Sequence, residues 1–292
     1  MSITYKTTGT IMKWEGRRKS SNMEDRRMSN TGKAAMGGGL AGILFLVFQL
    51  LMGGDNKELL QSLESQLNPQ GGVSTTELSL EDQRLGDFVA TVLADTEDVW
   101  HKLFRQNGAS YREPKLVLFR DAVTSACGGA SSSSGPFYCP ADETVYMDLA
   151  FFELLKTRFG ARGGDFAIAY VIAHEIGHHV QNLSGTVRRV QEMKRGMSVA
   201  EGNRIQVAME LQADFYAGVW AHHIKKYLDE NDIEEALSAA AAVGNDAIQK
   251  RTRGYVVEES FTHGTSDQRM HWFRHGFRTG DLKEGDTFSK IN

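Results

Sequence analysis

The chain has 292 residues, of which 41% are hydrophobic and 24% are charged. These proportions are ordinary for a globular protein, and the length suits one large domain or two small ones. The formal net charge of −4 gives no support for nucleic-acid binding, so we expect no nucleic-acid partner. The function must therefore be inferred from motifs along the chain.

The N-terminal part of the chain divides into a polar segment and an apolar segment. Residues 12–36 are polar and mostly basic, so we predict that they are disordered, within a basic N-terminal segment over residues 1–36. No residue from 34 to 54 is charged. About 20 such residues are enough to cross a hydrocarbon core of ~30 Å. We therefore predict one transmembrane helix over residues 37–54.

The charges around this apolar stretch predict its orientation. The basic excess lies on its N-terminal side, which favours a cytoplasmic N-terminus and export of everything that follows. A cleaved signal peptide fits less well, because the preceding segment is long and no small-x-small site follows the stretch. A buried soluble helix is the other alternative. Residues 55–79 are then a polar linker, and residues 80–292 form the folded domain.

The folded domain begins with a mixed helix and strand pattern. Apolar residues recur at helical spacing from Asp82 to Phe104. The segments 115–119 and 143–148 are typical of strands, and residues 149–159 form a short amphipathic pattern. Asp165 is a candidate N-cap for the next helix.

The two cysteines of the chain, Cys127 and Cys139, bracket a loop rich in glycine and serine. Such a pair forms a disulfide if the compartment is oxidising, which agrees with export of the domain. Two unbonded thiols are the alternative. A zinc site is not expected here, because no second pair of soft ligands lies nearby.

The strongest motif is His174-Glu175-Ile176-Gly177-His178. Residues four apart lie on one face of a helix, so both imidazoles can bind one zinc ion. Glu175 lies about 100° round the helix, where it can accept a proton from a zinc-bound water. The preceding residues 166–173 are apolar, so the helix should be buried. A solvated helix that carries these residues by chance fits that context poorly.

A second helical stretch, Val207 to Trp220, carries two carboxylates in apolar surroundings. Glu210 and Asp214 lie four apart on one face, where they repel each other unless cations lie between them. We predict Glu210 as the third zinc ligand. Asp214 is predicted to accept a hydrogen bond from the distal nitrogen of a ligating histidine. In the alternative, both carboxylates are solvated.

Polar residues suited to a cleft follow at residues 261–273. We predict that His263 or Arg269 stabilises the oxyanion of a tetrahedral intermediate. In the alternative, Thr265 or Ser266 caps a helix and Arg269 forms a structural ion pair.

These motifs carry a family resemblance. The HExxH stretch followed by Glu210-Leu211-Gln212-Ala213-Asp214 resembles the gluzincin pattern of zinc metallopeptidases. More closely, the chain resembles the bacterial neutral zinc metallopeptidase family, the YpfJ-like group. Further matching stretches are Trp14-Glu15-Gly16-Arg17-Arg18, Gly135-Pro136-Phe137-Tyr138-Cys139-Pro140, Val145-Tyr146-Met147-Asp148-Leu149 and His263-Gly264-Thr265-Ser266-Asp267-Gln268-Arg269.

The resemblance implies an α+β, zincin-like fold, with a mixed β-sheet packed on the HExxH helix and a mainly helical C-terminal half. It implies Zn²⁺ held by His174, His178 and Glu210, with Glu175 as catalytic base. An edge strand then binds the peptide or protein substrate, and residues 145–149 are our candidate. In this family the chain tends to begin just before the Trp-Glu-Gly-Arg-Arg stretch, so Met12 is an alternative to Met1 as the start of translation.

Together these expectations describe an endopeptidase anchored in the inner membrane by one span, with a cytoplasmic N-terminus and a periplasmic catalytic domain. The alternative is a zinc-containing adaptor of the cell envelope that does not hydrolyse peptides. A structural envelope protein with a vestigial site is a third hypothesis, which stoichiometric metal binding would exclude.

Overall fold

The computed structural model describes residues 12–28, 78–131, 134–229 and 231–290. The predicted transmembrane helix, residues 37–54, and nearly all of the predicted linker lie outside these ranges. Within them, no helix combines the length and the apolar character needed to cross a membrane.

The strands form a four-stranded mixed sheet and a separate two-stranded hairpin. Their bounds are Met23–Asp25 (β1), Lys115–Phe119 (β2), Ala122–Ser125 (β3), Gly128–Ser131 (β4), Phe137–Cys139 (β5) and Thr144–Asp148 (β6). The sheet has the order β1-β2-β6-β5, in which β1, β2 and β6 are parallel and β5 is antiparallel to β6. The hairpin pairs β3 with β4. Both predicted strands, residues 115–119 and 143–148, are confirmed within one residue.

The predicted substrate-binding edge strand is wrong. Strand β6, which contains Val145, lies inside the sheet between β2 and β5 and pairs with both. All five of its residues are buried, as expected of an interior strand. Its ladder hydrogen bonds are used on both sides, so no edge is left for a substrate. Among the described strands, the edge on this side of the sheet belongs to β5.

Helices dominate the second half of the described chain, which confirms the predicted α+β class with a mainly helical C-terminal half. Their bounds are Leu80–Gln106 (α1), Ala150–Thr157 (α2), Asp165–Leu183 (α3), Thr186–Met193 (α4), Val199–Ile224 (α5), Asp232–Ala242 (α6), Asn245–Arg253 (α7) and Ser266–Thr279 (α8). Short 3₁₀ turns cover Lys225–Tyr227, Glu258–Ser260, Leu282–Glu284 and Phe288–Lys290.

The two faces of the sheet belong to different cores. Side chains alternate along a strand, and in β2 Leu116 and Leu118 join the main core that includes α1, α3 and α5. Val117 and Phe119 point the other way and pack with Val123 of the hairpin. The helices therefore cover one face of the sheet, and the hairpin covers the other.

A disulfide fixes the hairpin to the sheet. It joins Cys127, in the turn between β3 and β4, to Cys139 at the end of β5. The predicted bridge is confirmed. It ties the hairpin to the edge strand.

The N-terminal segment, residues 12–28, belongs to the folded domain, so the predicted disorder of this part is wrong. Met12 is 2% exposed, and the Trp14 ring packs edge-on against Phe88 of α1. Strand β1 pairs with β2 in parallel, with Met23 opposite Leu116. The segment has few apolar residues, so hydrophobic periodicity did not predict a folded structure for it. Its apolar residues Met12 and Trp14 are nevertheless buried.

Three basic residues of this segment, Arg17, Arg18 and Lys19, are paired with acidic residues of α1. Arg17 binds Asp95, and Arg18 binds the buried carboxylate of Glu97 at 2.7 Å. The hydroxyl of Ser20 also donates to Glu97. Burial raises the pKa of Asp95 to about 6, although Arg17 acts in the opposite direction. The segment therefore supplies the charges that make these buried carboxylates tolerable.

A substitution at Trp14 tests whether the N-terminal segment is part of the core. We expect Trp14→Ala to lower the free energy of unfolding by about 3–5 kcal/mol, because it leaves a cavity against α1. The control is Lys19→Ala, whose ion pair with Asp87 is half exposed and is worth at most about 1 kcal/mol. Denaturant unfolding measures both. Equal, small effects of the two variants would contradict the assignment of residues 12–28 to the core.

Candidate metal centre

Helix α3 presents the HExxH motif, and its start is held by another helix. The predicted cap Asp165 is the first helical residue, and its side chain makes no capping hydrogen bond. Instead, Glu235 of α6 accepts a hydrogen bond from the backbone N–H of Phe166 at 3.0 Å. Gly164, with φ of 106°, precedes the helix, and a Cβ there would lie 2.1 Å from the Glu235 carboxylate. A long-range carboxylate therefore replaces the local cap.

Three predicted ligands converge between α3 and α5. The Nε2 atoms of His174 and His178 lie 3.4 and 3.5 Å from Oε2 of Glu210. The candidate ligand atoms of the three residues all lie within 4.8 Å of one another. His174 and Glu210 are 7% and 6% exposed. Two imidazole nitrogens and one carboxylate oxygen form a ligand set typical of catalytic zinc.

Asp214 orients the first histidine. Its Oδ1 lies 2.8 Å from Nδ1 of His174 and accepts a hydrogen bond from the Tyr170 hydroxyl at 2.6 Å. A carboxylate can only accept, so Nδ1 of His174 carries the proton. Nε2, which faces Glu210, is then the nitrogen that can bind a metal ion once it has lost its proton. The structure thus brings Asp214 to the position that the sequence predicted for it.

The charges of the cluster favour a cation. Burial raises the pKa of Glu210, but the neighbouring His178 and His263 outweigh it and hold that pKa well below its usual range. Burial also opposes the shift at Asp214, yet Arg269 and His174 lower its pKa to about 2. Burial lowers the pKa of His174, but Asp214 outweighs it and raises that pKa to about 9. The carboxylates therefore stay charged and attract positive charge to the site.

Arg269 lies on the far side of His174 from Glu210. Its Nε donates to Oδ2 of Asp214 at 2.7 Å, and one terminal nitrogen donates to the Tyr170 hydroxyl at 3.1 Å. The side chain is 4% exposed. The structure thus agrees with the alternative of a structural ion pair. The predicted oxyanion role of Arg269 is not supported, because its donors face Asp214 and Tyr170.

His263 lies on the loop before α8 with an exposed ring. Its backbone N–H donates to Oδ1 of Asn245 at 2.6 Å, and its Nδ1 lies 2.9 Å from the Thr262 hydroxyl. When protonated, its ring lowers the pKa of Glu210, and burial in turn lowers the pKa of His263, so the ring lies near the ligand cluster. Thr265 caps α8 by accepting from the backbone N–H of Gln268 at 3.1 Å. Of the two predicted oxyanion stabilisers, His263 alone remains a candidate.

Sequence reasoning missed two polar residues that contact the ligands. Gln181 Oε1 lies 2.8 Å from Nδ1 of His178. Gln206 Nε2 donates to Oε1 of Glu210 at 3.1 Å. Both lie three or four residues from their ligand on the same helix. Helical spacing around each ligand was the signal that could have identified them.

Gly177 lets α3 and α5 approach closely. A Cβ at this position would lie 3.0 Å from the carbonyl oxygen of Ala213 and 3.1 Å from its Cα. The two helices therefore touch through backbone atoms beside the cluster. This contact places Glu210 within reach of both histidines.

Comparison with known proteins agrees with this geometry. The profile of the family described as "Putative neutral zinc metallopeptidase" matches residues 12–288. The chain belongs to this family. Zinc is accordingly the cofactor that the family implies. The donor set fits that ion, because each histidine has its Nδ1 occupied by a polar partner and its Nε2 facing Glu210.

The chain is also similar to proteins of several bacteria. "Uncharacterized protein YpfJ" of Escherichia coli strain K12 is 45% identical over 288 residues, which cover 96% of this chain and 99% of that protein. "Uncharacterized protein Mb2605" of Mycobacterium bovis is 46% identical over 203 residues, which cover 65% of this chain and 66% of that protein. No solved structure matches the chain.

The glycine contact between α3 and α5 can be tested with two alanine variants. We expect Gly177→Ala to lower the free energy of unfolding by about 1–3 kcal/mol and to weaken zinc binding, because the added methyl group separates the helices. Gly202→Ala is the control. Its Cβ would meet only the flexible Lys194 side chain at 3.5 Å, so helix propensity should stabilise it by about 0.5–1 kcal/mol. Denaturation and zinc titration measure both, and a stabilised Gly177→Ala variant would contradict the close contact.

Proposed function

We propose that this protein is a zinc-dependent endopeptidase that hydrolyses peptide bonds in proteins or peptides. The observation that carries the proposal is the convergence of His174, His178 and Glu210, with Glu175 on the same helix beside the first ligand. Glu175 is 8% exposed. The membership of the chain in the zinc metallopeptidase family supports the same reaction class.

His174, His178 and Glu210 would hold the ion through two Nε2 atoms and Oε2. A zinc ion with three protein ligands keeps a position for water and lowers the pKa of that water towards about 7. Glu175 accepts a proton from the attacking water and later donates a proton to the leaving amine. Tyr170, Asp214 and Arg269 act indirectly, since they hold the His174 ring.

His263 is the proposed stabiliser of the oxyanion. If the Thr262 hydroxyl donates to Nδ1 of His263, the ring carries its proton on Nε2. That N–H can donate to the carbonyl oxygen of the substrate as it gains negative charge. The exposure of residue 263 and its electrostatic effect on Glu210 support this role.

We further propose that the fold is zincin-like and that the substrate binds along β5. This strand lies at the edge of the sheet and runs antiparallel to β6. The hydroxyl of Tyr138 on β5 lies 2.9 Å from Nδ1 of His179, which follows the second ligand directly. The edge is thereby fixed to the ligand helix. An extended substrate that adds a strand to β5 would run close to the ligands.

The function is tested by a variant of the proposed base. We expect Glu175→Gln to keep stoichiometric zinc and to lose about 10²–10⁴-fold in peptide hydrolysis, because the amide cannot accept the proton. The control is Glu192→Gln, which changes an exposed glutamate of α4 and should leave activity unchanged.

Activity of the Glu175→Gln variant equal to wild type would refute the mechanism. Wild-type protein that carries zinc but cleaves no unfolded protein would favour the adaptor alternative. Metal analysis that finds no zinc would favour a vestigial site.

We also propose that residues 12–28 lie in the same oxidising compartment as the metal centre. The pairing of β1 with β2 supports this, because the two strands flank residues 37–54 along the chain. A single membrane crossing between them would put them on opposite sides. The disulfide between Cys127 and Cys139 supports an oxidising compartment. This proposal replaces the expected arrangement with a cytoplasmic N-terminus.

Cysteine labelling in spheroplasts tests the location. The native cysteines are paired, so a new cysteine gives a specific signal. We expect an impermeant maleimide to label Glu15→Cys and Val199→Cys equally, since both positions are exposed. Labelling of Val199→Cys alone would restore the single-pass arrangement. Protection of both until lysis would place the domain in the cytoplasm.

A further inference from the structure

The two metal-binding histidines have chemically different partners. His174 donates from Nδ1 to the carboxylate of Asp214, which can only accept. His178 instead meets the side-chain amide of Gln181, with Nδ1 2.8 Å from Oε1. An amide can accept through its oxygen or donate through its nitrogen. The tautomer of His178 therefore depends on which way this amide points.

The backbone of α5 decides the orientation of the amide. Gln181 Nε2 lies 2.7 Å from the carbonyl oxygen of Met209, which can only accept. The amide nitrogen must face Met209, so the amide oxygen faces His178. His178 must then donate from Nδ1, which leaves Nε2, the nitrogen that faces Glu210, to bind the metal ion. A carbonyl on one helix thus sets the tautomer of a ligand on the other.

A second glutamine extends this chain of hydrogen bonds to the C-terminal segment. Gln181 Nε2 also donates to Oε1 of Gln212 at 3.1 Å, and Gln212 Nε2 donates to the carbonyl oxygen of Gly285 at 3.0 Å. The hydroxyl of Thr287 binds the carbonyl oxygen of Ala208 at 2.6 Å and holds the same segment on α5. In this series of hydrogen bonds, each oxygen accepts from the amide N–H of a glutamine, so the donor and the acceptor of every bond are fixed.

Burial protects this chain from water. Gln181 is fully buried and Gln212 is 7% exposed, so water has little access to compete for these bonds. A buried amide that lost its partners would carry an unsatisfied desolvation penalty. Met209 also precedes the third ligand, Glu210. The Gln181 side chain therefore connects the second ligand on α3 to the backbone beside the third ligand on α5.

We propose that Gln181 is a positioning residue that fixes the tautomer of His178. We further propose that the chain Gln181–Gln212–Gly285 makes zinc affinity depend on the C-terminal segment, which contributes no ligand. The proposal rests on the proposed zinc site but not on its peptidase activity. Loss of such an outer partner lowers metal affinity by about 10–100-fold.

Zinc affinity of the full chain tests the proposal by competition with a chelator. We expect Gln181→Leu to bind zinc about 10–100-fold more weakly than wild type, and Gln212→Leu to lose less, because it removes only the outer link. The matched control is Gln249→Leu. Gln249 is also 7% exposed and hydrogen-bonded, to Ser260 and the backbone of Val257, but it contacts none of the ligands. Its zinc affinity should match wild type.

Two spectroscopic measurements separate positioning from general destabilisation. The visible absorption of the cobalt-substituted protein should change in Gln181→Leu and stay the same in Gln249→Leu. In the wild-type zinc protein, imidazole ¹⁵N shifts should show Nδ1 protonated in both His174 and His178. This second measurement needs no variant, so it stands even if Gln181→Leu does not fold.

Wild-type zinc affinity and cobalt spectrum in Gln181→Leu would overturn the proposal, as would an Nε2-protonated His178 in the wild-type protein. An equal loss in Gln249→Leu would also overturn it. A wild-type protein that binds zinc but cleaves nothing would refute the proposed function and leave the role of Gln181 intact. Conversely, normal zinc affinity in Gln181→Leu together with inactivity of Glu175→Gln would refute only the role of Gln181.

Discussion

The backbone contact between α3 and α5 at Gly177 determines the geometry of the centre. Because no side chain separates the helices there, the carbonyl oxygen of Ala213 lies only 3.0 Å from the position that a Cβ of residue 177 would occupy. Glu210 consequently reaches both imidazoles from the opposite helix at 3.4 and 3.5 Å. A metal site built from two helices needs this short separation, since carboxylate and imidazole side chains have fixed lengths.

The second constraint on the structure is that a buried carboxylate beside the metal centre needs a positively charged partner. Asp214 is fully buried and is paired with Arg269 from α8. Helix α8 lies on α5 through reciprocal glycine contacts, in which Gly218 meets the backbone of Phe273 and Gly276 meets the backbone of Phe215. This close packing brings the guanidinium to the carboxylate. Without that pairing the buried carboxylate would be costly.

Local periodicity was enough to predict much of the site. The HExxH histidines and the pair Glu210 and Asp214 each lie four apart on an apolar helix, and that spacing alone places them on common faces. The errors arose where distant segments meet. Val145 lies in an interior strand because β5 pairs on its far side. The helix start at Phe166 is bonded to Glu235 rather than to a local cap.

The sequence by itself determined which side chains share a helix face, and hence the candidate ligands and the base. It also determined the disulfide partners, because the chain has only two cysteines. Only the tertiary structure decided that residues 12–28 join the sheet, that Arg269 pairs with Asp214, and that Gln181 faces His178. The physical reason is the distance along the chain over which each kind of interaction acts. Helical spacing is fixed by backbone geometry over a few residues, whereas strand order and buried ion pairs depend on contacts between segments far apart in the chain.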